Sequence, residues 1–294
     1  MNAVEPVSTF FPDTTGCPRV YRLLRAACEP AHRELGVLPG PGDIHPLGEV
    51  LEYVINAKMT CLFADWLSRH DHTRGLPRPM QQFLRGQLRL NAYRSKKHRQ
   101  EAAAVIAALH SHDVPAAAIN GIAHAALLYP GAGVRQSSDV DLLIPASAAA
   151  TAAEVLTRHG YYSTGRSPTA LHRDFDDPLV PGLTLDLTTR LAHTKDDTCI
   201  QAILARRTPA PGSGEPHEAL PILHWDDGFR HTLARVASQR RWPALADALR
   251  YALDGTGQPQ PTTGLEDPAR AGWDLVRSCW PQLPQDVPLA GSQR

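Results

Sequence analysis

The sequence predicts an α+β protein, in which a small mixed sheet is flanked by N-terminal and C-terminal helical regions. Apolar residues recur at helical spacing over most of residues 47–110, whereas short apolar runs separated by turn residues follow over 114–189. Helical spacing returns after about residue 202. A succession of strand, helix, strand and helix that ends in several strands is typical of a small α/β sheet domain.

Stretches rich in proline and glycine divide the chain, at 37–42 and again at 256–263. We therefore expect five regions in chain order. They are an N-terminal tail and short helix over 1–44, a helical region over 45–112, the α/β core over 113–202, a helical region over 203–255, and a linker with a C-terminal tail over 256–294.

Each helix is predicted from apolar residues three and four positions apart. This pattern covers 19–35, 47–70 and 80–110 before the core, and 224–237, 243–253 and 267–280 after it. Within the core, helices are expected over 122–129 and 146–158, the second ending at Gly160. Short apolar runs predict strands over 114–119, 139–144, 161–164, 171–175 and 183–189.

Composition narrows the classes of function. The 294 residues carry a formal net charge of zero, which argues against a protein that coats nucleic acid through its overall charge. The sequence has no run of about 18 apolar residues, so no membrane-spanning helix is expected. The first residues lack the pattern of a secretion signal. The five scattered cysteines indicate reduced thiols in a cytoplasm, without disulfides or a zinc site.

Two aspartates mark the most informative stretch. Asp139 and Asp141 are two apart in a strand-like run, so their side chains share one face while Val140 turns into the core. Neighbouring carboxylates repel, and a hard cation such as Mg²⁺ relieves that repulsion. A third carboxylate, Asp186, lies in a later apolar run. The three aspartates predict a metal site for phosphoryl chemistry.

The surrounding motifs resemble the polymerase-β-like nucleotidyltransferase superfamily, and within it the uncharacterised nucleotidyltransferase family of bacterial proteins. The resemblance covers about residues 45–253. It rests on Asn120-Gly121, on the Leu-Leu-Tyr-Pro run that ends at Pro130, on Arg135, on Ser138-Asp139-Val140-Asp141-Leu142-Leu143, and on the run from Leu185 to Leu191 that contains Asp186.

The resemblance implies a nucleotidyltransferase that moves an NMP group from an NTP, ATP among them, to a hydroxyl and releases pyrophosphate. Asp139 and Asp141 would hold two Mg²⁺ (or Mn²⁺) ions, and Asp186 would complete the catalytic metal site. The acceptor would be a small molecule, a peptide or protein, or an RNA end. The residues expected to bind the nucleotide are Asn120, Gly121, Arg135 and Ser138.

Two departures from the family pattern bear on this prediction. Asn120 stands where the family usually has lysine, so a neutral donor replaces a positive charge near the phosphates. Ile122 stands where the superfamily favours a second glycine or a serine. A fold that has lost or altered catalysis and serves as a binding or regulatory protein is therefore an alternative. So is a tailoring transferase that uses another activated phosphate donor, such as a nucleotide sugar.

Each site residue also has a plainer interpretation. Asp139 and Asp141 would begin a solvated strand, and Asp186 would face water on an edge strand. Arg135 would be a surface arginine, and Asn120 an ordinary turn residue. Finally, residues 74–99 carry eight lysines and arginines without an acid, which indicates either a solvated helix face or a surface for RNA or another anionic acceptor.

Overall fold

The structure is a computed structural model, and it describes residues 18–30, 35, 39, 44, 47–129, 131–163, 165, 169–194, 196–211, 219–253 and 267–283. The predicted N-terminal tail lies largely outside these residues, as does the predicted linker over 256–263. The chain divides into two compact units. One comprises Met1–Leu88 with Phe229–Arg294, and the other comprises Arg89–Gly228.

The first unit is helical. Its helices are α1 (Pro18–Cys28), α2 (Leu47–Asn56), α3 (Thr60–Arg69), the first part of α4 (Arg78–His110), most of α8 (Trp225–Gln239), α9 (Trp242–Ala252) and α10 (Asp267–Cys279). Large side chains such as Phe63, Trp66 and Trp242 are fully buried in it. Gly272 lets α10 pack closely on α8, because a Cβ there would lie 1.8 Å from the carbonyl oxygen of Leu233.

The single helix predicted over 47–70 is wrong, because α2 and α3 are separate. The break falls at Lys58, whose φ of 56° lies in the left-handed region and ends the helical path. The apolar residues keep their spacing across this break, which is why the sequence pattern conceals it. By contrast, α4 runs without interruption for 33 residues, as predicted.

The second unit contains a seven-stranded sheet. Its strands are β1 (Ala117–Ile119), β2 (Asp139–Leu143), β3 (Tyr162–Ser163), β4 (Ala170–Asp174), β5 (Gly182–Thr188), β6 (Thr208–Pro209) and β7 (Pro221–Ile222). The strand order is β3-β4-β5-β2-β1-β7-β6. The pairs β2–β5 and β1–β7 are parallel and the other neighbours are antiparallel, so the sheet is mixed, as predicted.

Helices cover both faces of this sheet. The second part of α4 packs with α5 (Asn120–Leu127) and α6 (Ala149–Arg158) on the face that carries Val140, Leu142 and Leu185. On the other face α7 (Asp197–Ala205) covers Ile119 and Leu143. The part of that second face where β2 begins carries the polar residues of β2 and β5.

The chain after residue 202 differs from the prediction of helix alone. The strands β6 and β7 extend the sheet beside β1, and they were missed because each has two residues and one of the two is proline. The compact unit around the sheet therefore reaches from Arg89 to Gly228, beyond the bounds of 113–202. Among the described residues, no helix combines the length and apolar character needed to cross a bilayer.

Candidate active site

The three predicted aspartates lie on one face of neighbouring strands. Asp139 and Asp141 are half-buried on β2, and between them Val140 is completely buried. In the parallel pairing of β2 with β5, Asp141 stands directly opposite Asp186. Adjacent strands are about 4.8 Å apart, so this register places the two side chains next to each other. The alternation predicted for the Asp-x-Asp stretch is confirmed.

Asp186 occupies an interior strand. β5 lies between β4 and β2, so the interpretation of Asp186 as a residue of an edge strand is wrong. Burial and, after it, the nearby charge of Asp139 raise the pKa of the Asp186 carboxyl. A carboxyl held beside another carboxylate resists ionisation until a cation lies near it.

Carboxylate oxygens on a shared sheet face are the donor type that Mg²⁺ prefers. The described residues nevertheless contain no group of three or more His, Cys, Asp or Glu side chains arranged to hold a metal ion. The three aspartates thus offer oxygen donors that suit a hard cation, and they lie on one face of the sheet. Their side chains are not, however, arranged as a complete set of metal ligands.

Asn120 connects the end of β1 to this face. It is buried, its φ of 57° lies in the left-handed region that asparagine tolerates, and its Nδ2 donates a hydrogen bond to Oδ2 of Asp141 at 3.0 Å. The amide therefore holds one oxygen of Asp141. Asn120 is more than a turn residue, because its unusual backbone conformation aims its side chain at a carboxylate.

Gly121 is required by a close contact with the chain that leads into β2. A Cβ at position 121 would lie 2.3 Å from Oγ of Ser137, and that hydroxyl donates to the carbonyl oxygen of Asp139 at 2.8 Å. Ser137 thus packs under the start of α5, whereas Ser138, the serine predicted to bind nucleotide, is exposed.

The chain also matches the model of a protein family. The model of the family described as uncharacterised nucleotidyltransferase matches residues 47–254. The chain belongs to this family. It is therefore an enzyme of the nucleotidyltransferase class, and the predicted resemblance is confirmed. No curated protein matches the chain.

Two solved structures are similar to this nucleotidyltransferase. A crystal structure of an antigenic nucleotidyltransferase-like protein from Paracoccidioides brasiliensis matches with a TM-score of 0.46 and 13% identity, covering 64% of this chain and 90% of that one. The solution structure of the antibiotic-resistance factor ANT(2'')-Ia matches with a TM-score of 0.34 and 15% identity, covering 59% of this chain and 86% of that one. Both likenesses are weak, and the family assignment rests on the family match.

Arg135 of the nucleotidyltransferase lies in the loop before β2 and is half-buried. Its guanidinium donates to the carbonyl oxygen of Gln136. The same loop is held by Asn91 of α4, whose Nδ2 donates to the carbonyl oxygens of Gly133 at 2.6 Å and of Arg135 at 3.1 Å. Sequence reasoning missed Asn91, because no local pattern indicates a partner more than 40 residues away.

His98, one of α4's buried residues, is another that sequence reasoning missed. Its side chain is 5% exposed, and its Nδ1 has no hydrogen-bond partner among the described residues. Burial and the Arg94 guanidinium lower the pKa of His98, while Asp139 opposes that shift. The imidazole therefore lies within electrostatic reach of Asp139.

Proposed function

We propose that this nucleotidyltransferase moves an NMP group from an NTP to a hydroxyl acceptor and releases pyrophosphate, with Mg²⁺ (or Mn²⁺) as its cofactor. The observation that carries the proposal is the register of Asp141 opposite Asp186, with Asp139 on the same face. Family membership supplies the class of reaction, and the carboxylates supply the ligands that such chemistry needs.

In the proposed step, the acceptor oxygen forms a bond to the α-phosphorus while the bond from that phosphorus to the pyrophosphate oxygen breaks. The hydroxyl proton passes to Asp186, whose raised pKa suits a proton acceptor. Asp139 and Asp141 would hold Mg²⁺, which when bound neutralises charge on the triphosphate. Asn120 keeps the Asp141 carboxylate aimed at the site through its hydrogen bond.

The start of α5 supports triphosphate binding at the same place. This helix begins at Asn120, directly after β1, and its N-cap residue, Ile119, makes no capping hydrogen bond through its side chain. Uncapped N–H groups at a helix N-terminus, together with the helix dipole, attract phosphate oxygens. Such donors supply part of the positive potential that lysine provides at position 120 in most of the family.

The test follows pyrophosphate release from labelled ATP, GTP, CTP and UTP, with Mg²⁺ or Mn²⁺ and with or without cell extract. We expect metal-dependent turnover with at least one NTP. Asp139→Asn/Asp141→Asn should lower it by about 10²-fold or more, because groups that stabilise transition-state charge contribute on that scale. Asp113→Asn is the matched control, since Asp113 is exposed and its φ of 58° suits asparagine equally well.

Turnover that survives in the double variant would overturn the assignment of the site. Metal-dependent NTP binding without turnover under any condition would instead favour the binding or regulatory alternative. Release of nucleotide from a nucleotide sugar, without pyrophosphate release from any NTP, would favour the tailoring transferase. Asp186→Asn separates the roles, because it should abolish turnover while leaving NTP binding within a few-fold of the wild type.

A further inference from the structure

The sheet face that carries the three aspartates continues past β5 onto β4 and β3. Asp139 of β2 stands opposite Thr184 of β5, and Thr184 stands opposite His172 of β4. His172 in turn stands opposite Tyr162 of β3. Residues directly opposite one another on neighbouring strands share a face. Because strands are about 4.8 Å apart, the backbone of His172 lies about 10 Å from that of Asp139 on this same face.

A chain of polar contacts fixes the side chains on this part of the face. The Tyr162 hydroxyl donates to Oδ2 of Asp174 at 2.8 Å, and Nε2 of His172 lies 3.3 Å from Oδ1 of the same carboxylate. Nδ1 of His172 lies 3.3 Å from Oγ1 of Thr184. Asp174 shares the face because it follows His172 by two residues in β4. We call Tyr162, His172, Asp174 and Thr184 the polar shelf.

Gly182 makes room for the imidazole of the polar shelf. A Cβ at position 182 would lie 2.6 Å from Nε2 and 2.8 Å from Cε1 of His172. Gly182 belongs to β5, which is also the strand of Asp186 and lies between β4 and β2. The His172 ring therefore lies over β5, on the side of its own strand that faces the aspartate site.

Asp174 gives the polar shelf an open negative charge. Its side chain is 72% exposed, and within the described part of the chain no lysine or arginine forms an ion pair with it. The three aspartates of the site lie on the same face and have the same sign of charge. A positively charged group is attracted to such a surface, whereas an RNA strand or another anion is repelled.

The order of the strands indicates the direction from which an acceptor arrives. β1 and the start of α5 lie on one side of β2, whereas β5, β4 and β3 lie on the other side. In an in-line displacement, the attacking and leaving oxygens lie on opposite sides of the phosphorus. If the triphosphate is directed toward the start of α5, the acceptor approaches over β5 and β4. Asp186, the proposed proton acceptor, lies on this same side.

We propose that the polar shelf binds the acceptor, and that this acceptor is a small compound with a hydroxyl group and a positively charged amine. The inference rests on the proposed function, and it names the substrate class. Asp174 pairs with the amine, while His172 and Thr184 hold the hydroxylated part beside Asp186. The shelf ends at β3, the last strand, three strand spacings or about 14 Å from β2, which is the length of a small molecule.

The bonds that form and break are those of the proposed step. The hydroxyl oxygen of the amine compound bonds to the α-phosphorus, the bond to the pyrophosphate oxygen breaks, and Asp186 takes the hydroxyl proton. The amine stays charged throughout and forms no covalent bond, so it contributes binding and orientation alone.

The first test identifies the class of acceptor without knowing its identity. Ultrafiltration divides a cell extract into a small-molecule filtrate and a macromolecular retentate. Each fraction is assayed, with and without the enzyme, for transfer of label from an α-labelled NTP. Portions of the filtrate first pass over a cation exchanger or an anion exchanger, and Mg²⁺ is then restored. We expect the filtrate to support transfer, the cation exchanger to remove the acceptor, salt elution to recover it, and the anion exchanger to leave it in solution.

The second test uses Asp174→Asn and Asp174→Lys in a dilution series of the filtrate. The filtrate concentration for half-maximal transfer should rise about 5-fold in Asp174→Asn, as for a lost exposed ion pair, and about 25-fold in Asp174→Lys, where repulsion replaces attraction. The maximal rate should change much less. Equilibrium dialysis should show NTP binding within a few-fold of the wild type.

Asp176→Asn and Asp176→Lys are the matched controls. Asp176 is also exposed and lies two residues farther along, but it lines a cavity with Lys97 and Glu101 of α4, the helix that packs on the opposite face of the sheet. Both controls should keep the wild-type half-saturation. Thermal melts of all four variants should remain close to the wild type, because both carboxylates are exposed.

Transfer supported by the retentate alone would overturn the inference in favour of a protein or RNA acceptor and would leave the proposed function standing. So would an acceptor that the anion exchanger removes, or one that neither exchanger removes. Equal effects at positions 174 and 176 would overturn it as well, because total charge would then determine transfer. NTP binding that falls as much as transfer in Asp174→Asn would place the nucleotide, and not the acceptor, on the polar shelf. Absence of turnover with every NTP and every fraction would instead defeat the proposed function itself.

Discussion

The side-chain amide of Asn120 donates a hydrogen bond to the carboxylate of Asp141 across 3.0 Å. A lysine at this position would bring a positive charge toward the phosphates, whereas the amide orients a carboxylate and adds no charge. Position 120 therefore brings no positive charge to the sheet face that carries Asp139, Asp141 and Asp186. The departure from the family pattern is therefore a structural contact with the site, and its effect on function is open to measurement.

Replacement of Asn120 tests the value of this contact. Asn120→Gly keeps the left-handed backbone accessible but removes the amide, so kcat/KM should fall about 10- to 100-fold, the range for a lost hydrogen bond to a charged group. Asn120→Ala should lose as much activity and also about 1 kcal/mol of stability, because alanine is strained at this φ. Steady-state kinetics and urea unfolding separate the two effects.

Asn120→Lys supplies the decisive comparison, since it restores the residue that the family usually has. A long cationic side chain with its backbone in the left-handed region loses the hydrogen bond to Asp141, and we expect lower activity than in the wild type. Higher activity in this variant would contradict the role that the structure gives to Asn120.

Gly121 and Ser137 form a second pair whose sizes are matched. Gly121→Ala would push a methyl group into the Ser137 side chain, and overpacking of this kind costs about 1–3 kcal/mol. Ser137→Gly in the same chain should recover most of that stability, because it removes the Oγ and Cβ atoms that clash. The measurement is the free energy of unfolding of the single and double variants.

Gly48→Ala is the control for helical glycine, since no atom lies within 4 Å of a Cβ at that position in α2. It should be neutral or stabilise the protein by about 0.5–1 kcal/mol. Equal effects of alanine at positions 48 and 121 would show that backbone entropy, and not the Ser137 contact, determines the glycine at 121.

The sequence predicted the aspartate strand well because its signal is local. Two charges alternate with buried Val140 and Leu142, and period two is the signature of a strand with one buried face. The register of Asp141 against Asp186 could not be predicted from the sequence, because pairing between strands 45 residues apart depends on the whole sheet. The strand-like apolar run around Asp186 brought it into the predicted site, but that run could not show which residue of β2 it faces.

Other features were hidden for different physical reasons. Lys58 has a left-handed backbone conformation and separates α2 from α3, although lysine is not a residue typical of turns. The hydrogen bonds of Asn91 and the contact of Ser137 with Gly121 are tertiary, so no spacing rule reports them. The resemblance gave Ser138, which is exposed, as a nucleotide-binding residue, and no local pattern indicated that the preceding Ser137 packs against Gly121.

Asn91 should control the loop that leads into the site. Asn91→Leu removes two hydrogen bonds from nearly buried carbonyl groups, and each unpaired group costs about 1–3 kcal/mol. Because Arg135 and Ser138 lie in this loop, we expect KM for the NTP to rise more than kcat falls. Asn91→Asp should be worse, since its carboxylate would face the two carbonyl oxygens.

Gln81→Leu is the matched control for that experiment. Gln81 also donates from a side-chain amide to a backbone carbonyl, that of Leu76 at 2.9 Å, but it does so in the other unit. Its removal should lower stability slightly and leave KM unchanged. A rise in KM as large as that of Asn91→Leu would mean that general destabilisation, and not loop position, governs nucleotide binding.

His110 makes stability depend on pH at the end of α4. Its Nε2 lies 2.6 Å from a guanidinium nitrogen of Arg207, and burial together with that charge lowers the pKa of His110 below 6.5. The folded state then binds fewer protons than the unfolded state, so stability should fall as pH drops from about 6.5 through the lowered pKa. His110→Gln keeps an acceptor for Arg207 without titrating, and it should flatten this dependence in thermal melts between pH 7 and 5. Arg207→Gln should flatten it partly, because burial still disfavours the charged imidazole. An undiminished slope in His110→Gln would show that other groups carry the acid sensitivity.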